Sequence, residues 1–126
     1  MTATAPAGAV QFLVVGSPRS GTTLVQRLAC EIPGVAMPPE THFFTRFAPH
    51  LVDHYRFPLR GPALVAAVAD FAALHTEGLA VDVDAVVDDM QGTCTRPLQL
   101  FDALVRHLAG PAQVWGEKTP GHLVWW

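Results

Sequence analysis

Phe12-Leu-Val-Val-Gly-Ser-Pro-Arg-Ser-Gly-Thr-Thr-Leu-Val25 is the stretch that decides the fold of this chain of 126 residues. It opens with a short apolar run that Gly16 ends, which is typical of a strand buried on both faces of a parallel sheet. Beyond the glycine-bearing loop, apolar residues recur at helical spacing from Leu24 until Pro33 and Gly34 end the pattern. A strand, a loop and a helix in this order predict the first unit of an α/β fold.

The rest of the chain continues the alternation of strands and helices. Val35-Ala-Met37 predicts a brief second strand, because the two prolines that follow cannot donate to a sheet. The patterns also predict helices over residues 61–75, 84–90 and 97–108 and a third strand over residues 113–116. The predicted fold class is therefore α/β, with a parallel sheet flanked by helices.

These elements are expected to belong to a single domain. Residues 1–10, rich in alanine, are expected to form a flexible leader. Residues 11–126 are expected to form the N-terminal part of one α/β domain, in which residues 45–111 are a mainly helical insertion or cap. Because three strands with exposed edges make a poor α/β domain, we expect the sheet to be incomplete at the C-terminus and the chain to be a truncated product.

Composition and charge exclude several classes of protein. Half of the residues are hydrophobic, which is enough for a buried core and argues against disorder. The net charge is −3 and no run of basic residues occurs, so we expect no nucleic-acid partner. Cys30 and Cys94 form no C-x-x-C pair and are expected to be free thiols. The sequence shows neither a secretion signal nor a membrane-spanning run, so we expect a cytoplasmic location without membrane contact.

The loop between the first strand and the first helix is the candidate phosphate site. Its segment Gly16-Ser-Pro-Arg-Ser-Gly21 has the G-x-x-x-x-G spacing of a P-loop, in the strand-to-helix context that this spacing requires. Backbone N–H groups near Gly21 would converge on a phosphate, and the amino end of the helix would add partial positive charge. Thr22 stands where nucleotide hydrolases have lysine, whereas the cation of this loop is Arg19. That change argues against ATP or GTP.

Arg19 is the charged group of this loop. A guanidinium directs two donors at phosphate or sulfate oxygens, so Arg19 is predicted both to bind an anionic donor and to stabilise charge on a departing phosphate. The alternative is a turn that only links the strand to the helix. The residues predicted to contact the donor are Ser17, Pro18, Arg19, Ser20, Gly21, Thr22 and Thr23.

Three short motifs resemble those of the sulfotransferase family, in the same order along the chain. PRSGTTL at residues 18–24 is similar to the family's loop for the 5′-phosphosulfate group. PPETHFF at residues 38–44 is similar to the segment that supplies the general base in the protein-tyrosine branch. WGEKTPGH at residues 115–122 resembles the Glu-Lys-Thr-Pro segment of bacterial members. The motifs cover both ends of the chain but not its middle.

The resemblance implies a P-loop NTPase-like parallel sheet, a reaction, a donor and catalytic residues. The reaction is transfer of a sulfuryl group from 3′-phosphoadenosine 5′-phosphosulfate (PAPS) to a hydroxyl or amine of a small-molecule or peptide acceptor. Glu40 would be the general base, and Arg19 and Lys118 would neutralise the departing phosphate. Because these cations supply the positive charge, no metal is implied.

Sulfotransferases also hold the 3′-phosphate of the donor, through an arginine and a serine near an Arg-Asp-Pro-Arg or Arg-Asp-Gly-Arg segment. This sequence contains neither segment. Loss of such an anchor costs about 1.5–3 kcal/mol per charge-assisted hydrogen bond. We therefore expect the chain of 126 residues to be weakly active or inactive on its own.

Two other functions fit parts of the pattern. One is a P-loop kinase or NTPase with an aberrant loop, which requires a metal-binding aspartate after a later strand, where Gly116-Glu-Lys118 offers only a glutamate. The other is a non-catalytic remnant that binds phosphate or a partner subunit. At residue level, Glu40 could be a solvated loop carboxylate or the cap of a helix that starts near Thr41. Lys118 could be an exposed loop lysine paired with Glu117.

Several histidines have a second interpretation besides packing. His42 and His122 are candidate alternative bases, although a positioning or packing role is favoured. His50 and His54 stand one helical turn apart with Asp53 between them, a spacing that suits two metal ligands, but no third ligand recurs nearby.

Aromatic residues near the motifs are also candidates for binding. Trp115 could contact an adenine, and Phe43, Phe44 and Phe47 could line an apolar acceptor pocket. Packing in the core is the favoured interpretation for all four.

Overall fold

The architecture is given by a computed structural model that describes residues 8–16, 21–74 and 80–119. The elements in these ranges are β1 (Val10–Val14), α1 (Thr22–Cys30), β2 (Val35–Ala36), a π-helical turn (Phe43–Phe47), α2 (Ala48–His54), β3 (Leu59–Arg60), α3 (Pro62–Leu74), α4 (Val83–Asp89), β4 (Thr93–Cys94), α5 (Pro97–Ala109) and β5 (Val114–Lys118). A strand, a loop and a helix open this order, as the first glycine-bearing segment predicts.

β5 is the central strand of a parallel sheet with the strand order β1-β5-β2. Phe12 of β1 pairs with Gly116 of β5, and Val14 pairs with Lys118. Because the two strands are parallel, their carboxyl ends meet at the edge of the sheet where the loop after β1 begins. Helices α1 and α5 contact the sheet. The predicted α/β class, a parallel sheet flanked by helices, is confirmed.

Gly116 allows a close approach between β1 and β5. A Cβ atom placed on Gly116 would overlap the ring of Phe12, which is its partner across the strand pair. Because Gly116 has no side chain, the ring of Phe12 can lie against β5. The same strand continues through Glu117 to Lys118, so this contact helps to fix the end of β5.

A cluster of phenylalanine rings forms the centre of the helical part. Phe43 is fully buried, and its ring centroid lies 5.1 Å from that of Phe44 and 5.1 Å from that of Phe101. Phe47 is also fully buried, 5.5 Å from Phe43. Tilted and edge-to-face contacts at such distances add to the free energy gained by burying apolar area. Phe43 and Phe47 are thus core residues, and Trp115, whose Nε1 donates to the Gly110 carbonyl at 2.9 Å, packs against the same core.

The longer elements lie close to their predicted positions. α3 and α5 fill the predicted ranges 61–75 and 97–108 almost to the residue, and α4 is displaced by a single position from residues 84–90. β1 begins at Val10, inside the predicted leader, and β5 continues past residue 116 to Lys118. That extension matters because it places Glu117 and Lys118 in a strand. The role of residues 45–111 as an insertion or cap stays a prediction, and residues 1–7 lie outside the described ranges.

The sequence patterns missed the π-helical turn, α2 and the antiparallel pair β3–β4. β3 and β4 have two residues each, which is too short for a period-2 pattern to appear. α2 begins at Ala48 with Pro49 in its first turn, where the fixed φ of proline suits a helix and its missing N–H costs nothing. This continuous helical segment of residues 43–54 directly follows the predicted base at Glu40.

α1 exposes its apolar stripe. Leu24 is 62% exposed and Leu28 is 55% exposed, and Val25 and Ile32 are similar. The periodic pattern therefore predicted the helix correctly, but these residues are not covered by any part of the chain that the structure describes. Within the same ranges, no helix combines the length and the apolar character that crossing a membrane requires.

Replacement of Gly116 by alanine tests the close approach of β1 and β5. We expect Gly116→Ala to lower the free energy of unfolding by about 1–3 kcal/mol, because an added methyl group in a packed region displaces its neighbours. Urea unfolding followed by circular dichroism measures the change. The loss should shrink when Phe12→Leu is the background, since the smaller side chain leaves room. An equal loss in both backgrounds would contradict the contact.

Candidate functional site

The amino end of α1 lies just beyond the carboxyl end of β1. Gly21 directly precedes α1 with φ 89°, a left-handed conformation that favours glycine, and its carbonyl accepts the N–H of Val25 at 3.2 Å. Among the described residues, no side chain caps this helix end. Helix amino ends bind anions through such N–H groups. The predicted donor residues Ser17, Pro18, Arg19 and Ser20 lie outside the described ranges, whereas Gly21, Thr22 and Thr23 form this helix end.

Lys118 and Glu40 meet at the same edge of the sheet. The Lys118 ammonium donates to Glu40 Oε1 in a short hydrogen bond and to Thr23 Oγ1 at 3.2 Å. Its side chain is only 5% exposed, while that of Glu40 is 34% exposed. A buried cation, an accessible carboxylate and the first turn of α1 therefore share one small region. Two of the three predicted catalytic residues are brought together, and the contacts of Arg19 stay a prediction.

This geometry excludes two alternative interpretations. Lys118 is not an exposed loop lysine paired with Glu117, because it is the last residue of β5, nearly buried, and bound to Glu40. Glu40 does not cap a helix that starts near Thr41, because the helical segment begins at Phe43 and is preceded by His42. Glu40 instead bonds with Lys118 across the site.

A sequence model of the sulfotransferase family matches residues 11–126 of the chain. This chain belongs to the sulfotransferase family. Searches of curated proteins and of solved structures find no match. The matched range includes the middle of the chain, which the three short motifs leave uncovered. The P-loop NTPase-like fold of sulfotransferases agrees with the parallel sheet and the strand-loop-helix unit, and members of the family transfer sulfuryl groups.

His42 of this sulfotransferase lies beside the predicted base. Its Nε2 is 3.4 Å from Glu40 Oε2, and its side chain is 25% exposed. The backbone of His42 has φ 51°, a left-handed conformation that is uncommon for residues other than glycine. Its N–H donates to Thr119 Oγ1 at 3.2 Å. His42 thus contacts Glu40 through its ring and the end of β5 through its backbone, while His122 lies outside the described ranges.

Glu117 forms a second set of contacts with the same turn. Its side chain is fully buried, and Oε1 accepts the N–H of Thr41 at 3.2 Å, the Thr41 hydroxyl at 3.0 Å and the Thr119 hydroxyl at 2.5 Å. We call Thr41, Glu117 and Thr119 the Glu117 cluster. Sequence reasoning missed it, because the predicted strand ended at Gly116 and Glu117 was considered only as a partner of Lys118. If the predicted strand had extended to Lys118, the alternation of side chains would have placed Glu117 and Lys118 on opposite sides of it.

A cavity of about 950 Å³ lies along β1 and α5 of this sulfotransferase. Phe12, Leu13 and Phe44 are among its apolar lining residues, and Asp102 is among the polar ones. Asp102 accepts the N–H of Val10 at 2.9 Å, and burial raises the pKa of the Asp102 carboxyl although that hydrogen bond opposes the shift. Glu40 and Lys118 are not among the residues that line this cavity.

His50 and His54 have partners other than a metal. His50 Nε2 lies 2.9 Å from Asp70 Oδ2, and the Tyr55 hydroxyl donates to the same oxygen at 2.5 Å. His54 Nδ1 lies 3.1 Å from the His50 carbonyl, and the two rings stack at 4.3 Å. The described ranges contain no group of three or more His, Cys, Asp or Glu side chains placed to hold a metal. These contacts join α2 to α3.

Asp70 gives the link between α2 and α3 a pH dependence. The Tyr55 hydrogen bond, followed by the one with His50, lowers the pKa of Asp70 below its usual 3.8, while burial and then the Asp70 hydrogen bond raise the pKa of Tyr55 to about 12. A carboxyl whose folded pKa is lowered stabilises the fold above its unfolded pKa, and this contribution is lost as the pH falls through the folded pKa.

We expect Asp70→Asn to reduce the free energy of unfolding at neutral pH and to weaken its fall below pH 3.8. Urea unfolding at neutral and acidic pH measures both effects. Asp53→Asn on α2 is the matched control, because Asp53 is exposed and is not the carboxyl that binds Tyr55 and His50. Parallel pH profiles of the Asp70 variant and the wild type would contradict the assignment.

Proposed function

We propose that this chain forms the donor site and the general base of a PAPS-dependent sulfotransferase. The acceptor is a hydroxyl or amine of a small molecule or peptide. The observation that carries the proposal is the meeting of Glu40 and Lys118 beside the first turn of α1, at the carboxyl edge of β1 and β5. A base for the acceptor and a cation for the leaving phosphate are then adjacent to a helix end that suits an anion.

The loop of residues 16–23 is assigned to the 5′-phosphosulfate end of the donor. Backbone N–H groups at the start of α1 would bind the phosphate, and the hydroxyls of Thr22 and Thr23 would add donors. Arg19 would direct its guanidinium at the same oxygens. Support comes from the left-handed Gly21, which turns the chain into the helix, and from Lys118, whose ammonium already contacts Thr23.

The transfer step requires one proton acceptor and stabilisation of one leaving group. The acceptor oxygen or nitrogen attacks sulfur and forms a new bond to it, while the bond between sulfur and the bridging phosphate oxygen breaks. The proton of the acceptor passes to Glu40, and 3′-phosphoadenosine 5′-phosphate leaves with the electron pair. Lys118 and Arg19 neutralise the charge on the departing phosphate. The 34% exposure of the Glu40 side chain leaves it accessible to an acceptor.

The Glu40–Lys118 pair also links donor binding to the base. Lys118 gives a hydrogen bond to the carboxylate that the proposed reaction requires to accept a proton. We infer that a bound phosphate draws the ammonium away from Glu40, because both are anionic acceptors for the same cation. The carboxylate is then released to bind the acceptor. This order places donor binding before activation of the base.

A substitution in the loop tests the donor site. We expect Arg19→Ala to weaken binding of 3′-phosphoadenosine 5′-phosphate by about 10- to 100-fold, the loss of a charge-assisted hydrogen bond or two. Isothermal titration calorimetry measures the affinity. Arg27→Ala is the matched control, because Arg27 is an exposed arginine in the last turn of α1, away from the loop. Thermal stabilisation by ATP with magnesium, but not by PAPS, would contradict the proposal and favour a P-loop kinase or NTPase.

Glu40→Gln separates the role of the base from that of the donor site. We expect sulfuryl transfer to fall by about 100-fold or more, within the usual range for loss of a general base. Affinity for 3′-phosphoadenosine 5′-phosphate should stay equal or rise, since the neutral amide competes less for Lys118. Radiolabelled sulfate transfer and calorimetry provide the two readouts. Glu31→Gln, at the exposed end of α1, should change neither, and a large loss of nucleotide affinity in Glu40→Gln would contradict the exchange of Lys118.

A further inference from the structure

Two neighbouring residues of β5 hold two neighbouring residues of the turn that carries the base. Lys118 donates to Glu40, and Glu117 accepts from Thr41. Since side chains alternate along a strand, the two contacts lie on different sides of β5. The turn is therefore attached to the end of the strand at two points. In the first, the Glu40 carboxylate is partly exposed to solvent, whereas in the second both Thr41 and Glu117 are fully buried.

Three consecutive N–H groups are directed to the Glu117 carboxylate. Thr41 N–H donates to Glu117 Oε1 itself. His42 N–H donates to the Thr119 hydroxyl, which donates to Glu117 Oε1. Phe43 N–H donates at 3.2 Å to the Thr41 hydroxyl, which also donates to Glu117 Oε1. Either directly or through one threonine hydroxyl, the backbone of residues 41–43 is bound to a single buried oxygen.

The position of this oxygen is electrostatically favourable. Residues 41–43 lead into the π-helical turn and α2, and carboxylates stabilise the amino end of a helical segment. The turn itself contains the left-handed His42, a conformation that persists only where the surroundings hold it. A buried carboxylate is costly to desolvate, and hydrogen bonds from several donors offset that cost. These features indicate a contact that fixes the conformation of one turn rather than general packing.

We propose that Glu117 is a positioning residue for the base, acting through Thr41 and Thr119. It holds residues 40–42 against the end of β5, so that the Glu40 carboxylate stays within reach of Lys118 and of an acceptor. This inference rests on the proposed function for the catalytic role of Glu40. The geometry of the Glu117 cluster itself does not depend on that role.

Thr119→Val is the variant that tests the proposal. Glu117→Ala would remove the buried acceptor of three donors and can unfold the chain, whereas valine at residue 119 keeps the shape of threonine and removes only the hydroxyl. We expect sulfuryl transfer to fall about 10-fold at saturating donor, with the affinity for 3′-phosphoadenosine 5′-phosphate changed by less than about 3-fold. Amide hydrogen exchange at His42, followed by nuclear magnetic resonance, should accelerate at least about 10-fold as its acceptor is lost.

Two further variants distinguish positioning from a general loss of stability. Thr119→Ser keeps the hydroxyl and should restore both transfer and slow exchange at His42. Thr93→Val, a matched substitution in β4 outside the Glu117 cluster, should change neither readout. The proposal would be overturned if Thr119→Val kept slow exchange at His42 and full transfer. It would also be overturned if both were lost in Thr119→Val and Thr119→Ser did not restore them. If the wild type does not bind 3′-phosphoadenosine 5′-phosphate, the proposed function fails, and the exchange at Thr41 and His42 still decides whether Glu117 holds the turn.

Discussion

Parallel pairing between β1 and β5 is the constraint on which the rest of the site depends. The register sets Val14 opposite Lys118, so the end of β5 lies where the chain leaves β1 for the loop and α1. Lys118 can then contact Thr23 although almost the whole chain separates them in sequence. Gly116 makes this pairing close, because a side chain there would overlap Phe12. An antiparallel or shifted strand would carry the lysine away from the helix end.

The Glu40–Lys118 pair combines two different degrees of burial. The lysine is almost fully enclosed, and an enclosed ammonium is stable only with a partner. The carboxylate is about one-third exposed, so solvent screens its side of the pair. If a donor phosphate binds here as proposed, the ammonium can exchange the carboxylate for phosphate oxygens, with about 1.5–3 kcal/mol from each charge-assisted hydrogen bond. The difference in burial favours a cation that stays in place and changes its partner.

Sequence reasoning predicted the elements whose patterns are long. β1, α1, α3, α4 and α5 were predicted because apolar residues recur over enough positions to distinguish a helix from a strand. The two-residue strands β3 and β4 carry no such pattern and were missed, as was α2. In α1 the same periodicity predicts the helix, but it does not predict whether the apolar side of the helix is covered, and Leu24 and Leu28 are exposed. Periodicity identifies an amphipathic element, whereas its partner is set by tertiary contacts.

Short motifs identified Glu40 and Lys118 as candidate residues, whereas a wrong strand boundary concealed Glu117. Glu40 and Lys118 were predicted from their motifs, and the structure brings them together. The predicted strand stops at Gly116, and pairing of Glu117 with Lys118 in an exposed loop was only the alternative interpretation of Lys118. With both in β5, alternation directs them to different sides, and Glu117 becomes the buried residue. An error of two residues in one boundary thus hid a whole hydrogen-bond cluster.

The turn of residues 40–42 shows how a loop can be both rigid and accessible. Glu40 is 34% exposed and His42 is 25% exposed, while Thr41 between them is fully buried. Ordering a loop costs about 1–2 kcal/mol of conformational entropy per residue, and here the N–H and hydroxyl of the buried Thr41 and the N–H of His42 supply the compensating contacts. The flanking side chains need no packing of their own to be held in place. The side chains of Glu40 and His42 can therefore face solvent, because Thr41 between them anchors the backbone to Glu117.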